Sequence, residues 1–294
     1  MRAYGLETAR RGDLDDHDNL LQSDFWADLK TASGLTAERF RITGAGSPLQ
    51  SAISGREGQS VPLLVLLRRL PMGACFAYVP HGPDIVLPPE EVGPFLAWLT
   101  GELASRLPAS CTFLRYDLPW RIADIRDRTV APSGRFVRSP VDVQVPDTVE
   151  LDLRADADAI LASMKSKTRY NIRLSERKGV VVREGGPDDL ELWYEMARET
   201  AMRDGITLRG MSFFRTLFAT AGSENSARVR LLVAEAENEP VAAIILTVQG
   251  ARCIYHYGAS RGSKRNFMPT YALQWRGIQE AKALGCTTYD LLGI

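Results

Sequence analysis

Residues 254–294, IYHYGASRGSKRNFMPTYALQWRGIQEAKALGCTTYDLLGI, restrict the fold more than any other stretch. Residues 254–259 are aromatic and β-branched, the composition of a strand. Arg261 to Asn266 form a polar break with three cations. Across 268–284, Leu273, Ile278, Ala281 and Leu284 recur at helical spacing. Gly285 stands where a helix ends in a left-handed residue, and 286–294 resumes a strand. Strand, helix and strand in succession form a crossover beside a sheet, so the domain mixes helix and sheet. The crossover also points a helix N-terminus, with unpaired N–H groups and partial positive charge, at the basic turn. Residue types there fit either a phosphate site or a solvated turn.

With 294 residues the chain has room for two domains or one large one. Lys+Arg and Asp+Glu both number 36, so anion recognition must come from local clusters and not from net charge. Cys75, Cys111, Cys253 and Cys286 are widely spread and only three histidines occur, which predicts reduced thiols and no metal site. The first residues lack the apolar core of a secretory leader, and no run approaches the roughly 20 apolar residues of a membrane span. A cytoplasmic location is the expectation.

Along the chain, Ser23 caps a predicted helix with Asp24 in its first turn and Gly34 after its end. Trp26 and Lys30, four apart, share a face. They suit a sugar or base beside a phosphate, or a core tryptophan under a solvated lysine. A strand is predicted at 61–70, then a loop punctuated by Gly73, Pro80, Gly82 and Pro83, and a helix over 89–107. The strand at 111–116 ends in Asp117, placed either for binding and base chemistry or to cap the next turn. The polar stretch 126–150 puts a domain boundary near 146, giving domains 1–145 and 146–294. After a strand at 148–153, one helix is predicted from Asp156 or Asp158 to Lys178. Its residues 165–178 hold six cations and one acid, including Lys165, Lys167, Arg169 and Arg173. Such a run contacts a polyanion or is a solvated face. A strand at 180–183, helices over 188–203 and 211–219, and a hairpin of 230–236 with 241–249 complete the pattern. No GxSxG motif, Cys/His pair or metal-ligand cluster occurs, so a covalent intermediate is not indicated. What remains suits holding two anionic substrates and letting them react by orientation.

Six segments in order resemble the Fem-type (FemABX) peptidoglycan aminoacyltransferases over roughly residues 20–294: LLQSDFWADLK, AYVPHGP, FLRYDLPW, SMKSKTRYNIRLSERKGV, RDGITLR and the opening stretch. The resemblance implies an α/β (α+β) fold class of two GNAT-like domains in tandem with a cleft between them. It implies transfer of an amino acid from aminoacyl-tRNA to the stem peptide of UDP-MurNAc-pentapeptide or its lipid-linked form. It also implies a monomer with no metal and no CoA, and leaves room for a peripheral membrane contact. Carried over by position, Lys30 and Arg209 contact the acceptor diphosphate, with Trp26 beside Lys30. Phe213 falls where some members have a contacting tyrosine. Tyr255 or Tyr257 lines the cleft, and Asp117 handles the attacking amine. Lys165, Lys167, Arg169, Arg173, Lys264 and Arg265 are the expected tRNA contacts. No heptad stretch marks the long helical arm of some members. The match stops at Leu291-Leu292-Gly293-Ile294, before the family's F-K-x-G-F segment. A fragment, reliance on other cations, or lost transfer would each follow from that. Two other readings stay open. One is a GNAT-type acyltransferase using acyl-CoA, although RGSKRN carries one glycine where that loop needs several. The other is a non-catalytic binder of cell-wall precursor or RNA.

Overall fold

The computed structural model describes residues 3–45, 60–85, 87–119, 136–222 and 227–293. It divides into two compact units, Met1–Gln144 and Val145–Ile294. Among the described residues, no helix is long and apolar enough to cross a membrane.

The first unit is built on a sheet of β1 (Ala3–Thr8), β2 (Thr36–Ala45), β3 (Val61–Arg69), β4 (Cys75–Val79) and β5 (Cys111–Tyr116), in that spatial order. Neighbours are antiparallel except β4 and β5, which are parallel. Helix α1 (Asp24–Ala32) precedes β2, and α2 (Pro89–Ala104) makes the crossover from β4 to β5. β3 is central and buried from Val61 to Leu67, which is why it reads as one apolar run and not as an alternation. Val61, Leu63, Val65 and Leu67 pack with Phe95, Leu96, Leu99 and Leu103 of α2. β2 was not among the predicted strands. Its two buried apolar residues, Phe40 and Ile42, alternate with Arg39 and Arg41, whose charges mask the strand period.

The second unit carries β6 (Glu150–Asp152), β7 (Val181–Glu184), β8 (Arg228–Ala236), β9 (Glu239–Gln249), β10 (Arg252–Ser260) and β11 (Thr288–Asp290), ordered β6-β11-β10-β9-β8-β7. β10 and β11 are parallel, as the opening stretch requires. The helix between them, α7 (Pro269–Ala283), buries Leu273, Ile278 and Ala281 against Ile244, Leu246 and Val248. Glu237 and Asn238, both with positive φ (54° and 62°), turn the β8–β9 hairpin. The single helix expected from Asp156 or Asp158 to Lys178 is two: α3 (Ala157–Ser163) and α4 (Ser166–Arg177). Met164 and Lys165 are extended between them, with ψ of 156° and 145°. The Arg169 guanidinium donates to the carbonyls of Ala162 (3.1 Å) and Met164, so a tertiary contact satisfies the end of α3. Helices α5 (Asp189–Asp204) and α6 (Met211–Thr220) follow β7, and α5 packs on β10 and β9.

Candidate functional site

In the first unit the chain enters α1 through a 3-10 turn, Leu20–Gln22. Ser23 Oγ accepts from the Trp26 N–H (3.2 Å), capping α1. Gln22 is fully buried. Its Oε1 accepts from the Leu64 N–H of β3 (2.8 Å) and its Nε2 donates to the Pro80 carbonyl (2.5 Å). Asn19 Nδ2 donates to the His81 carbonyl (2.8 Å). Two segments far apart in sequence, 19–32 and 79–83, are thereby fixed to each other. Gly82 belongs to that lock, because a Cβ there would lie 2.5 Å from Gln22 Nε2. On α1 the Lys30 ammonium sits 4.2 Å from the Trp26 ring centroid, a cation–π contact. Trp26 is core, as one of the two readings has it, and Lys30 lies half-buried over its ring.

The base of α1 is acidic and mostly buried. Asp24 accepts from Arg39 Nε (2.5 Å) and from the N–H groups of Gly12 (2.9 Å) and Leu14 (3.0 Å). Asp15 accepts from the Asp24 N–H (2.9 Å). Burial pushes the Asp15 carboxyl up to about 6, with the Asp24 and Asp28 charges adding and Arg39 opposing.

Asp117 follows β5 at the end of a polar chain. Its Oδ2 accepts from the Tyr78 hydroxyl (2.6 Å), and its Oδ1 lies 3.4 Å from Arg115. Gln144 Nε2 donates to the same Tyr78 oxygen (2.9 Å). Burial first, then the bond to Asp117, push the Tyr78 phenol well up, so Tyr78 is a donor at neutral pH. Tyr78, Arg115 and Gln144 were not among the predicted site residues. Tyr78 and Arg115 are register partners on β4 and β5, a pairing that sequence separation hides.

In the second unit, a bulge in β10 separates the two candidate tyrosines. Tyr255 pairs with Leu246 of β9, but Tyr257 pairs with Ile245, so one residue is skipped between them. The two tyrosines therefore face opposite sides of the sheet. Tyr255 packs against the cluster that contains Trp275 and Leu273. It crosses Gly258, where a Cβ would lie 1.9 Å from its hydroxyl. Tyr257 joins Arg209 and Phe213. The Arg209 guanidinium lies 4.8 Å from the Phe213 ring centroid, and Phe213 lies 6.3 Å from Tyr257. Phe214 (5.1 Å) and Trp193 (6.3 Å) surround Tyr257 on the same side. Burial pushes the Tyr257 phenol up, with the Arg209 guanidinium opposing. Tyr194 holds the loop by donating to the Arg209 carbonyl (3.2 Å). The bulge also turns His256 to this face. Its ring stacks on Tyr257 at 4.5 Å and its Nδ1 lies 3.1 Å from the hydroxyl of fully buried Thr247.

The cations divide by what holds them. Lys165, Lys167 and Arg173 are exposed on and before α4, and Arg265 is exposed in the turn. Arg169 caps α3, as described above. Lys264 is held by Glu239 (2.8 Å) and Glu237 (3.1 Å) of the β8–β9 turn. The Gly262 N–H donates to Glu199 Oε1 of α5 (2.6 Å). Lys178 donates to the Asn266 carbonyl (2.8 Å), so the end of α4 meets the basic turn.

A family model described as "Acetyltransferase (GNAT) domain" matches residues 162–294. Among curated proteins, lipid II:glycine glycyltransferase of Staphylococcus epidermidis is 20% identical over 195 residues, 46% of this chain and 47% of that one. The Staphylococcus aureus protein of the same name is 20% identical over 200 residues, 46% and 48%. The chain thus spans about half the length of the curated relatives it matches. A crystal structure of FemX superposes with a TM-score of 0.77 at 17% identity, covering 99% of this chain and 89% of that one. A conserved protein of unknown function from Bacteroides thetaiotaomicron reaches 0.53 at 13% identity, covering 98% and 90%. By fold, the chain is built as two GNAT-like domains in tandem, like FemX, and its residues 162–294 match the GNAT domain model.

Proposed function

We propose that this protein is an aminoacyltransferase that moves an amino acid from aminoacyl-tRNA to the stem peptide of a MurNAc-pentapeptide precursor, in soluble or lipid-linked form. The observation that carries the reading is a repeated device. Two cations each lie over an aromatic ring, Lys30 on Trp26 and Arg209 on Phe213, at the positions the Fem resemblance gives to the acceptor diphosphate. The relatives named for glycyl transfer to lipid II support it.

In the reaction, the neutral stem-peptide amine attacks the ester carbonyl. A C–N bond forms, the C–O bond breaks, and the tRNA hydroxyl leaves with a proton. The ester is already activated, so the protein must position the partners and manage that proton. A lysine-type amine, with a pKa near ~10.4, arrives mostly protonated at neutral pH. Asp117 Oδ1, touched by Arg115 only at 3.4 Å, keeps a lone pair for that ammonium. Tyr78, donating to Oδ2, fixes the carboxylate's orientation. Lys165, Lys167, Arg173 and Arg265 meet tRNA phosphates in this reading. Arg169 and Lys264, already engaged, do not.

The matched GNAT model raises acyl-CoA as a donor, and the turn at 261–268 does not fit its pyrophosphate. Glu199 occupies the Gly262 N–H, Glu237 and Glu239 hold Lys264, and Pro269 at the start of α7 has no N–H to offer. An incoming pyrophosphate would meet three carboxylates.

The test is single-turnover transfer of a radiolabelled amino acid from a mixed pool of charged tRNAs to UDP-MurNAc-pentapeptide or its lipid-linked form, with Lys30→Ala in parallel. Label on the peptide, lost in the variant, is expected. No label from any tRNA onto either acceptor refutes the reading.

A further inference from the structure

The sheet face that carries Tyr78 and Arg115 continues into a second row of side chains. Arg68 is opposite Phe76 across β3 and β4, as Leu66 is opposite Tyr78, so all four share that face. Phe113 of β5 stacks on Phe76 with ring centroids 5.0 Å apart and planes only 4° from parallel. This row is one pleat repeat, about 7 Å, from the Tyr78–Arg115 row. Phe113 is 52% exposed on the outer strand of the sheet, and Arg68 is exposed beside the pair.

We propose that the Phe76–Phe113 stack, flanked by Arg68, is a platform for a nucleobase. The inference rests on the aminoacyl-transfer reading, in which both substrates carry nucleotides: the uridine of the acceptor and the terminal adenosine of the donor. Nearly parallel rings with centroids 5.0 Å apart form an offset stack, a favoured aromatic geometry. Here the inner ring is held by the sheet, and the outer one presents half its surface to solvent in a parallel stack. A flat apolar face of that kind accepts a third π-system, and any base can supply one. Arg68 adds a cation for the phosphate or ribose of the stacked nucleotide, or a second stacking plane. Tyr78 and Arg115 of the neighbouring row contact Asp117, so a base seated here stands near the polar chain assigned to the reacting amine.

Calorimetric titrations of the full chain with UMP, with the trinucleotide CCA and with ribose 5-phosphate as a baseless control test the proposal. One nucleotide is expected to bind, and ribose 5-phosphate at least tenfold more weakly. Phe113→Leu should lower nucleotide affinity about tenfold and leave ribose 5-phosphate unchanged, whereas Phe113→Tyr should retain wild-type affinity. A response to UMP assigns the acceptor's base, and a response to CCA the donor's. No nucleotide binding to the wild type, or equal affinity in Phe113→Leu, overturns the platform. The transfer assay separates the two readings. Active wild type with an unaffected Phe113→Leu removes the platform alone. Base binding that depends on Phe113, with no transfer from any tRNA, removes the aminoacyl-transfer reading alone.

Discussion

Replacing Gln22 with leucine tests whether one buried amide sets the position of α1. Leucine has nearly the same volume, so the change removes two hydrogen bonds without opening a large cavity. The Leu64 N–H and the Pro80 carbonyl, both in buried residues, lose their partner. A buried backbone group left unsatisfied costs about 1–3 kcal/mol, or roughly 4 kcal/mol for the two. The added apolar burial of leucine returns about 2 kcal/mol. A net loss of about 2 kcal/mol remains, equivalent to a roughly 30-fold shift in the opening equilibrium of this region. Hydrogen exchange reads it locally. The Leu64 amide should exchange roughly 30-fold faster in Gln22→Leu, while β9 amides in the second unit keep their rates. An unchanged Leu64 rate would show that the 3-10 turn does not lock α1 to β3. An equal acceleration in both units would show a general loss of stability and not a local one.

Three further outcomes follow from the same structure. Asp15 has a folded pKa raised from 3.8 to about 6, so its contribution is present below pH 4 and is lost as pH rises through 6. Asp15→Asn keeps the acceptor for the Asp24 N–H but cannot ionise. After discounting for the group's half exposure, it should stabilise the protein by about 1 kcal/mol at pH 7 and not at pH 4, and identical melting shifts at both pH values would contradict this. Because the β10 bulge sends the tyrosines to opposite faces, Tyr257→Phe should lower kcat/KM for transfer about tenfold while Tyr255→Phe leaves it within twofold, and equal effects would count against the assignment. Replacing Lys165, Lys167 and Arg173 together with alanine should weaken tRNA binding and reduce the slope of log affinity against log salt by about 2, and an unchanged slope would remove α4 from the tRNA contact.

What could be read in the sequence was what is encoded locally. Ser23, Asp24 and Gly34 mark α1 through capping and backbone preference, and β5 and the β10–α7–β11 crossover carry their own periods. Failures came where a side chain outside the element decides the outcome. Nothing between 156 and 178 breaks a helical pattern, yet the chain is extended at Met164 and Lys165, where Arg169 folds back on the end of α3. The turn 261–266 reads as strongly basic because its neighbours in sequence hold no acid, but Glu237 and Glu239 reach Lys264 from across the hairpin and Glu199 takes the Gly262 N–H.

The same logic governs the candidate site. Strand alternation puts Tyr255 and Tyr257 on one face, and only the bulge between them, visible in the β9 register, sends them apart and brings His256 beside Tyr257. Asp117 is recognisable by its place after a strand, but its partners are not, since Tyr78 reaches it through the parallel β4–β5 pairing. Lys30 over Trp26 fares better, because four residues on a helix suffice. Lys30 and Trp26 are neighbours on α1, and Arg209 and Phe213 meet where the loop enters α6. The Lys30–Trp26 contact was therefore legible at helical spacing, Arg209 over Phe213 followed from the family resemblance, and contacts across strands had to be found in the register.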